Sequence, residues 1–217
     1  DTQVKWFAGI VVSAVVLLTL WRMHLGAMTG GFWDTLRDTS FNVIAIATTT
    51  GYASEDFTEW GGFAVAIFFV LFFLGGCSGS TAGGIKMFRV HVLMATLYTQ
   101  LRRQMQRHGV FVAHYNNMQI TDPVAQAVNA YLVILIGAFF LLTLGLAAHD
   151  LDFITSASGA AAALGNIGPG LGPRIGPAGN YASLPDTAKF LLCLGMLMGR
   201  LELFTVLVLF TPAFWRE

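Results

Sequence analysis

Long apolar stretches dominate this chain, and short polar segments separate them. Three stretches contain no Asp, Glu, Lys or Arg, and they cover residues 6–21, 60–85 and 123–148. A fourth runs from about 184 to 215, with Lys189, Arg200 and Glu202 inside it. Each is near or above the roughly 20 residues that a helix needs to cross the hydrocarbon core of a bilayer. The pattern predicts four membrane-spanning segments.

Two further apolar segments are too short to cross a bilayer. They lie at about 34–47, after the first span, and at about 152–164, after the third. A helix lying on the membrane surface carries charge on its polar face, whereas residues 39–54 and 153–173 contain no charged side chain. Surface helices are therefore disfavoured, and the sequence predicts two short helices that enter the membrane and turn back.

A polar break follows each short helix. The first covers residues 48–54, TTTGYAS, and the second covers residues 164–170, LGNIGPG. Their glycines, Gly51 and Gly168, are 168 − 51 = 117 residues apart. Non-helical backbone at membrane depth is tolerated only where it is buried in protein or lines a water-filled cavity. Because the order of span, short helix, break and span occurs twice, as in transport proteins with internal repeats, we expect the breaks to line a path for a polar solute.

The residues of the breaks suit the coordination of a cation. A desolvated cation needs several oxygens at close range, and backbone carbonyls supply them without net charge. Glycine permits the unusual dihedral angles that turn carbonyls toward one axis. A plain turn between two helices also suits Thr, Gly and Pro, and that alternative stays open for either break taken alone. The candidate coordinating residues are Thr49, Thr50, Gly51, Tyr52, Asn166, Ile167 and Gly168.

The composition agrees with a membrane protein. Of the 217 residues, 55% are hydrophobic and 11% are charged, and the mean hydropathy is +0.66. The formal net charge is zero, which does not favour binding to nucleic acid. Because the first residue is Asp1 rather than Met, we expect the chain to be part of a longer protein or a processed piece.

Basic residues predict the orientation in the membrane. Seven Lys or Arg side chains fall on one side of the predicted spans and four on the other, and the positive-inside rule places the richer side in the cytoplasm. Residues 108–122 then form a cytoplasmic connection, and the breaks open outward beside eight acids that would raise the local cation concentration. Ordinary solvated loops explain any single acid equally well. The seven predicted cytoplasmic bases are Lys5, Lys86, Arg89, Arg102, Arg103, Arg107 and Arg216.

The two breaks also carry a resemblance to a known family. The sequence TTTGY at 48–52 resembles the third repeat of the Trk, Ktr and HKT potassium transporter superfamily, and NIGPG at 166–170 resembles the fourth. The chain is most similar to the bacterial TrkH/TrkG branch, over essentially its whole length. The resemblance implies an all-α membrane protein with two span–pore-helix–span repeats, at 1–107 and 123–217. These would form half of a pseudo-fourfold, potassium-channel-like pore.

The resemblance further implies a function and partners. The function is potassium uptake across the bacterial inner membrane, through a gated selectivity filter with one glycine per repeat. Potassium is the transported ion, and no organic cofactor is implied. The partners are an N-terminal half or another chain with the two missing repeats, membrane lipid, a second copy in a homodimer, and a TrkA-like cytoplasmic nucleotide-binding regulatory subunit. The residues implied to hold potassium are Thr50, Gly51, Ile167 and Gly168.

A glycine-rich segment at 75–84, GGCSGSTAGG, interrupts the second span. Glycine costs about 1 kcal/mol relative to Ala in a helix interior, so a continuous helix is not expected here. The segment fails as a phosphate-binding loop, because Ile85 stands where that motif requires Lys. The resemblance implies an intramembrane loop that gates the pore. The implied gate residues are Gly75, Gly76, Ser78, Gly79, Ser80, Thr81, Gly83, Gly84 and Arg200.

Arg200 lies near the middle of the fourth span. An arginine at membrane depth costs about 2.5–3.5 kcal/mol on insertion scales, so it usually faces a cavity or a partner. The resemblance places it in the pore just below the filter, as an electrostatic barrier to cations. The alternatives are snorkelling to the cytoplasmic interface and a structural ion pair.

Other functions remain open at this point. A potassium symporter coupled to protons or sodium needs a titratable residue in the path, where the sequence offers only Arg200 and Glu202, and this favours a gated channel. The segment GCSG at 76–79 is similar to the nucleophile segment of a rhomboid-type protease. That mechanism needs a His within a membrane helix, whereas all five His fall near span ends or in loops. A receptor or structural membrane subunit without flux is a third class.

Overall fold

The computed structural model describes residues 1–26, 30–106, 109, 111–116, 118–201, 203–209 and 211–215. Arg107, Glu202 and Arg216, which enter the sequence predictions above, lie outside these residues. The helices are α1 (Thr2–Leu25), α2 (Phe32–Ala47), α3 (Gly62–Phe73), α4 (Met87–Met105), α5 (Asp122–Ala147), α6 (Phe153–Gly165), α7 (Asp186–Arg200) and α8 (Leu203–Leu209). Short 3-10 turns cover Phe57–Trp60, Tyr181–Ser183 and Pro212–Trp215.

One small β-hairpin lies between α4 and α5. Strands β1 (His114–Tyr115) and β2 (Met118–Gln119) pair antiparallel, with His114 opposite Gln119. The fold is otherwise helical in the described residues, as the sequence predicts. Within the part of the chain that the structure describes, two helices are long and apolar enough to cross a membrane, α1 with 24 residues and α5 with 26.

The same order of elements occurs twice along the chain. A long helix leads to a short one and a non-helical break, first as α1 and α2 and then as α5 and α6. The short helices were predicted at about 34–47 and 152–164, and their observed bounds differ from these by no more than two residues. The side chain of Asp152 starts α6 by accepting a hydrogen bond from the Thr155 N–H at 3.1 Å.

Helix α6 lies at the centre of the molecule. It packs against α3, α5 and α7, and every residue from Thr155 to Gly165 is buried. Its sequence is rich in Ala, Ser and Gly, and such small side chains let neighbouring helices approach closely. Two apolar clusters meet on it, because Ala161 and Ala162 join one and Ala160 and Ala163 join the other.

The predicted fourth span, about 184–215, is not one continuous helix in the structure. Regular helix ends at Arg200, and α8 begins separately at Leu203. Hydropathy could not reveal this end, because the residues that follow Arg200 are as apolar as those before it. The end coincides with a close approach, since a Cβ added at Gly199 would collide with the backbone carbonyl of Leu164 at the end of α6.

Candidate functional site

The first break begins by folding back onto the last turn of α2. The N–H groups of Thr50 and Gly51 both donate to the Ala45 carbonyl, at 2.8 and 3.2 Å. Thr49 and Gly51 have left-handed backbone angles, with φ of 55° and 80°, and only glycine adopts these at no steric cost. Within the described part of the chain, the carbonyl oxygens of Thr50 and Gly51 accept no hydrogen bond. They therefore remain available to another ligand.

The second break has a similar backbone arrangement. Asn166 ends α6 in the left-handed conformation with φ of 52°, and the Ile167 N–H donates to the Ala162 carbonyl at 3.0 Å. The Asn166 amide donates to the Met196 carbonyl of α7 at 3.1 Å. The nitrogen of its side-chain amide is therefore engaged with α7. Gly168 follows with φ of 116°.

The two breaks meet face to face. A Cβ added at Gly51 would collide with the carbonyl oxygen of Ile167, and a Cβ added at Gly168 would lie 3.9 Å from the Gly51 Cα. The structure thus brings the two predicted glycines together, although 117 residues separate them (168 − 51 = 117). Tyr52 is exposed beside them, with 71% of its surface accessible. The arrangement places the Ile167 carbonyl of the second break directly against the Gly51 backbone of the first.

The glycine-rich segment at 75–84 forms a closed loop between α3 and α4. Its neck is held by hydrogen bonds from the Gly75 N–H to the Ile85 carbonyl and from the Ile85 N–H to the Phe73 carbonyl, both at 2.8 Å. A Cβ at Gly83 would collide with the Gly165 carbonyl at the end of α6. The loop therefore sits directly against the start of the second break. Nine gate residues were predicted. Eight of them lie in this loop, and the ninth is Arg200.

Arg200 reaches the same loop from the end of α7. Its guanidinium donates a hydrogen bond to the Thr81 carbonyl. The two line a cavity of about 200 Å³, which Lys86 and Arg89 also border. Arg89 lies over the ring of Tyr131, 3.8 Å from its centroid. The structure thus joins Arg200 to the loop through the Thr81 carbonyl.

The sequence analysis missed a buried ion pair behind the first break. Arg22 in α1 is only 1% exposed, and its guanidinium lies 2.9 Å from the Glu55 carboxylate and 3.3 Å from the Thr39 hydroxyl. The ring of Trp60 lies 4.0 Å away. From the sequence, Arg22 was predicted only to be one of the four bases on the outer side of the membrane. The available signal was an arginine inside the first apolar helix together with an acid directly after the break.

The outer acids are less available than predicted. Glu55 is paired with Arg22, as described above. Asp34 and Asp38 both lie close to Arg37, at 3.5 and 3.4 Å. Asp186 lies 3.1 Å from Lys189. Exposed pairs of this kind contribute little to stability, but they neutralise part of the negative charge. The acidic entrance stays a prediction, and the ion pairs place three of the four outer bases directly beside acids.

Comparison with known proteins decides the family. The model of the TrkH family, described as a cation transport protein, matches residues 33–217. The chain belongs to the TrkH family. The resemblance seen in the two breaks is thereby confirmed, and so is the expectation of a transport protein rather than an enzyme.

Individual TrkH-family members agree over the full chain. TrkI, the Trk system potassium uptake protein of Halomonas elongata, is 50% identical over all of this chain and 44% of its own length. TrkH of Escherichia coli K12 is 32% identical over all of this chain and 44% of its own length. The crystal structure of the potassium transporter TrkH from Vibrio parahaemolyticus superposes with a TM-score of 0.91 at 32% identity, over 100% of this chain and 45% of that one. The chain spans less than half the length of these relatives.

The structural match confirms the predicted fold class. A TrkH-family chain with two membrane-length helices and two short helices followed by breaks is an all-α membrane protein. The share of the relatives that it covers agrees with the prediction of two repeats out of four. The roles of individual residues in the breaks and the loop are taken up below as proposals.

Proposed function

We propose that this chain supplies half of a gated pore for potassium uptake across the bacterial inner membrane. The observation that carries the proposal is the contact between the two breaks, in which Gly51 faces the Ile167 carbonyl. A path that uses both repeats requires such a meeting point. The filter residues in this proposal are Thr49, Thr50, Gly51, Tyr52, Asn166, Ile167 and Gly168.

Potassium is coordinated here by backbone oxygens. The carbonyls of Thr50, Gly51, Ile167 and Gly168 take the place of part of its hydration shell, as rings of carbonyls do in other potassium filters. Four oxygens are too few to surround the ion, so the two further repeats of the complete protein supply the remainder. The names of the relatives, Trk system potassium uptake proteins, support this choice of ion.

The loop at 75–84 and Arg200 form the gate below the filter. The hydrogen bond from Arg200 to the Thr81 carbonyl keeps the loop beside the end of α6. The Arg200 guanidinium, which borders the cavity beside the loop, opposes the passage of a cation. Opening requires both the loop and the Arg200 guanidinium to move away from the ion path.

A gated channel is favoured over a symporter coupled to protons or sodium. In the described residues, the breaks consist of backbone carbonyls and threonine hydroxyls, and the charged side chain that reaches the loop beside them is Arg200. A homodimer and a TrkA-like nucleotide-binding subunit on the cytoplasmic side complete the proposed assembly. Residues 111–116 and 118–121, between α4 and α5, face that subunit in this assembly.

Rubidium uptake by the complete four-repeat protein in proteoliposomes tests this function. We expect uptake to be driven by a membrane potential alone and to be blocked by potassium but not by sodium. A strict requirement for a proton or sodium gradient would establish the symporter instead. The absence of uptake with and without the regulatory subunit and nucleotide, by a folded and inserted protein, would overturn the proposal.

A further inference from the structure

The second break receives a hydrogen bond from a residue that lies 13 positions later in the chain. Tyr181 begins the short 3-10 turn Tyr181–Ser183, ahead of α7, and its hydroxyl donates to the Gly168 carbonyl at 2.7 Å. The ring is half-buried and packs against the apolar cluster of α5, α6 and α7. The phenol is thus held by packing while its hydroxyl contacts the break.

We propose that Tyr181 is a positioning residue of the filter, whose hydroxyl fixes the Gly168 carbonyl in the orientation that selects potassium over sodium. This inference rests on the proposed function. It adds a side chain that neither motif contains and that lies outside both breaks.

The local backbone explains why this carbonyl needs an external donor. Gly168 has a φ of 116°, in a region where glycine changes conformation freely. The next residue is Pro169, which has no N–H to take part in a turn. The first backbone hydrogen bond beyond it is from the Gly170 N–H to the Ile175 carbonyl at 2.7 Å. The ring of Pro169 fixes one of the two torsion angles that flank the Gly168–Pro169 peptide group, so the Tyr181 hydroxyl restrains the remaining one, the ψ of Gly168.

Accepting this hydrogen bond does not prevent the carbonyl from binding an ion. A carbonyl oxygen has two lone pairs, so one can accept from the phenol while the other coordinates potassium. Burial raises the pKa of Tyr181 to about 12. The hydroxyl consequently keeps its proton, and remains a donor, throughout the physiological pH range.

The first break is supported by different chemistry. There the Ser54 N–H donates to the Asn42 side-chain oxygen at 3.2 Å, and Arg22 pairs with Glu55 behind the loop. Within the described residues no side chain donates to the Gly51 carbonyl. Loss of the Tyr181 hydroxyl should thus affect one quarter of the filter and leave the other repeat intact.

The test is Tyr181→Phe in the complete protein, with rubidium uptake measured against potassium and sodium as competitors. The substitution keeps the ring and removes only the donor. We expect the preference for potassium over sodium to fall about three- to tenfold, the size of one hydrogen bond, with uptake retained. Tyr98→Phe, on the exposed surface of α4, is the matched control and should behave as wild type. The preference is a ratio, so it does not depend on how much protein is inserted.

Measuring Gly168→Ser in the same assay separates this inference from the proposed function. If Gly168→Ser loses the preference while Tyr181→Phe keeps the wild-type value, the role of Tyr181 is wrong and the filter stands. If Gly168→Ser also keeps it, the filter assignment itself fails. Potassium-dependent thermal stabilisation of the purified proteins provides a readout without transport, and we expect Tyr181→Phe to need several times more potassium for the same shift. An unchanged potassium dependence would contradict the inference.

Discussion

Gly51 stands where a single added methyl group would strike the carbonyl oxygen of Ile167. The sequence pointed to this glycine and to Gly168, because a glycine in a polar break between apolar helices indicates a special backbone conformation. Their contact could not be predicted, since it depends on how α6 packs between α3 and α7. Single-sequence reasoning thus found the residues but not the geometry that joins them.

Arg22 was beyond the reach of the sequence for a related reason. An arginine near the end of an apolar helix usually extends to the membrane interface. Here its burial depends on Glu55, 33 residues later, and on the ring of Trp60. Tyr181 was missed in the same way, because its partner Gly168 is reached only through the loop that folds back over the second break.

Glu55→Gln should destabilise the protein by leaving the Arg22 guanidinium buried without its counter-charge. Removing one partner of a fully buried pair costs about 3–5 kcal/mol. The Glu55 side chain is 23% exposed, so we expect about 1–3 kcal/mol, seen as a lower melting temperature in detergent. Glu59→Gln, an exposed acid of the same loop, is the control and should change stability by less than about 0.5 kcal/mol. Equal melting temperatures for the two variants would contradict a stabilising ion pair.

At the scale of elements, the short helices were the most predictable parts. Their lack of charge and their length excluded both a surface helix and a full span, and α2 and α6 were observed where expected. The interruption at 75–84 also followed from its glycines. The end of α7 at Arg200 was not predicted, because the sequence stays apolar on both sides of it. The close approach of Gly199 to α6 becomes visible only in the structure.

The loop and α7 act together in the proposed gate, so Arg200→Ala should weaken both the barrier charge and the attachment of Thr81. We expect basal rubidium flux in the absence of the regulatory subunit to rise several-fold, because a positive charge beside the path opposes a cation. Arg174→Ala, at a loop position outside the cavity, should leave basal flux unchanged. A loss of flux at normal expression, or no change at all, would argue against a barrier at Arg200.

On the scale of the whole molecule, the chain is a TrkH-family protein that spans less than half the length of its relatives. Its internal repeat was predictable because span, short helix and break recur in the same order. The all-α membrane fold is confirmed by the match to the TrkH crystal structure. The filter, the gate and the assembly stay predictions.

The central claim is that Gly51 and Gly168 belong to one potassium filter. Its most direct test is rubidium uptake into proteoliposomes containing the complete protein, with potassium and sodium as competitors, for wild type, Gly51→Ser and Gly168→Ser. Gly137→Ser is the control, because Gly137 in α5 has open space where the new side chain would lie. We predict that wild type and the control prefer potassium strongly, and that both filter variants lose much of this preference. An unchanged preference in both filter variants would contradict the account.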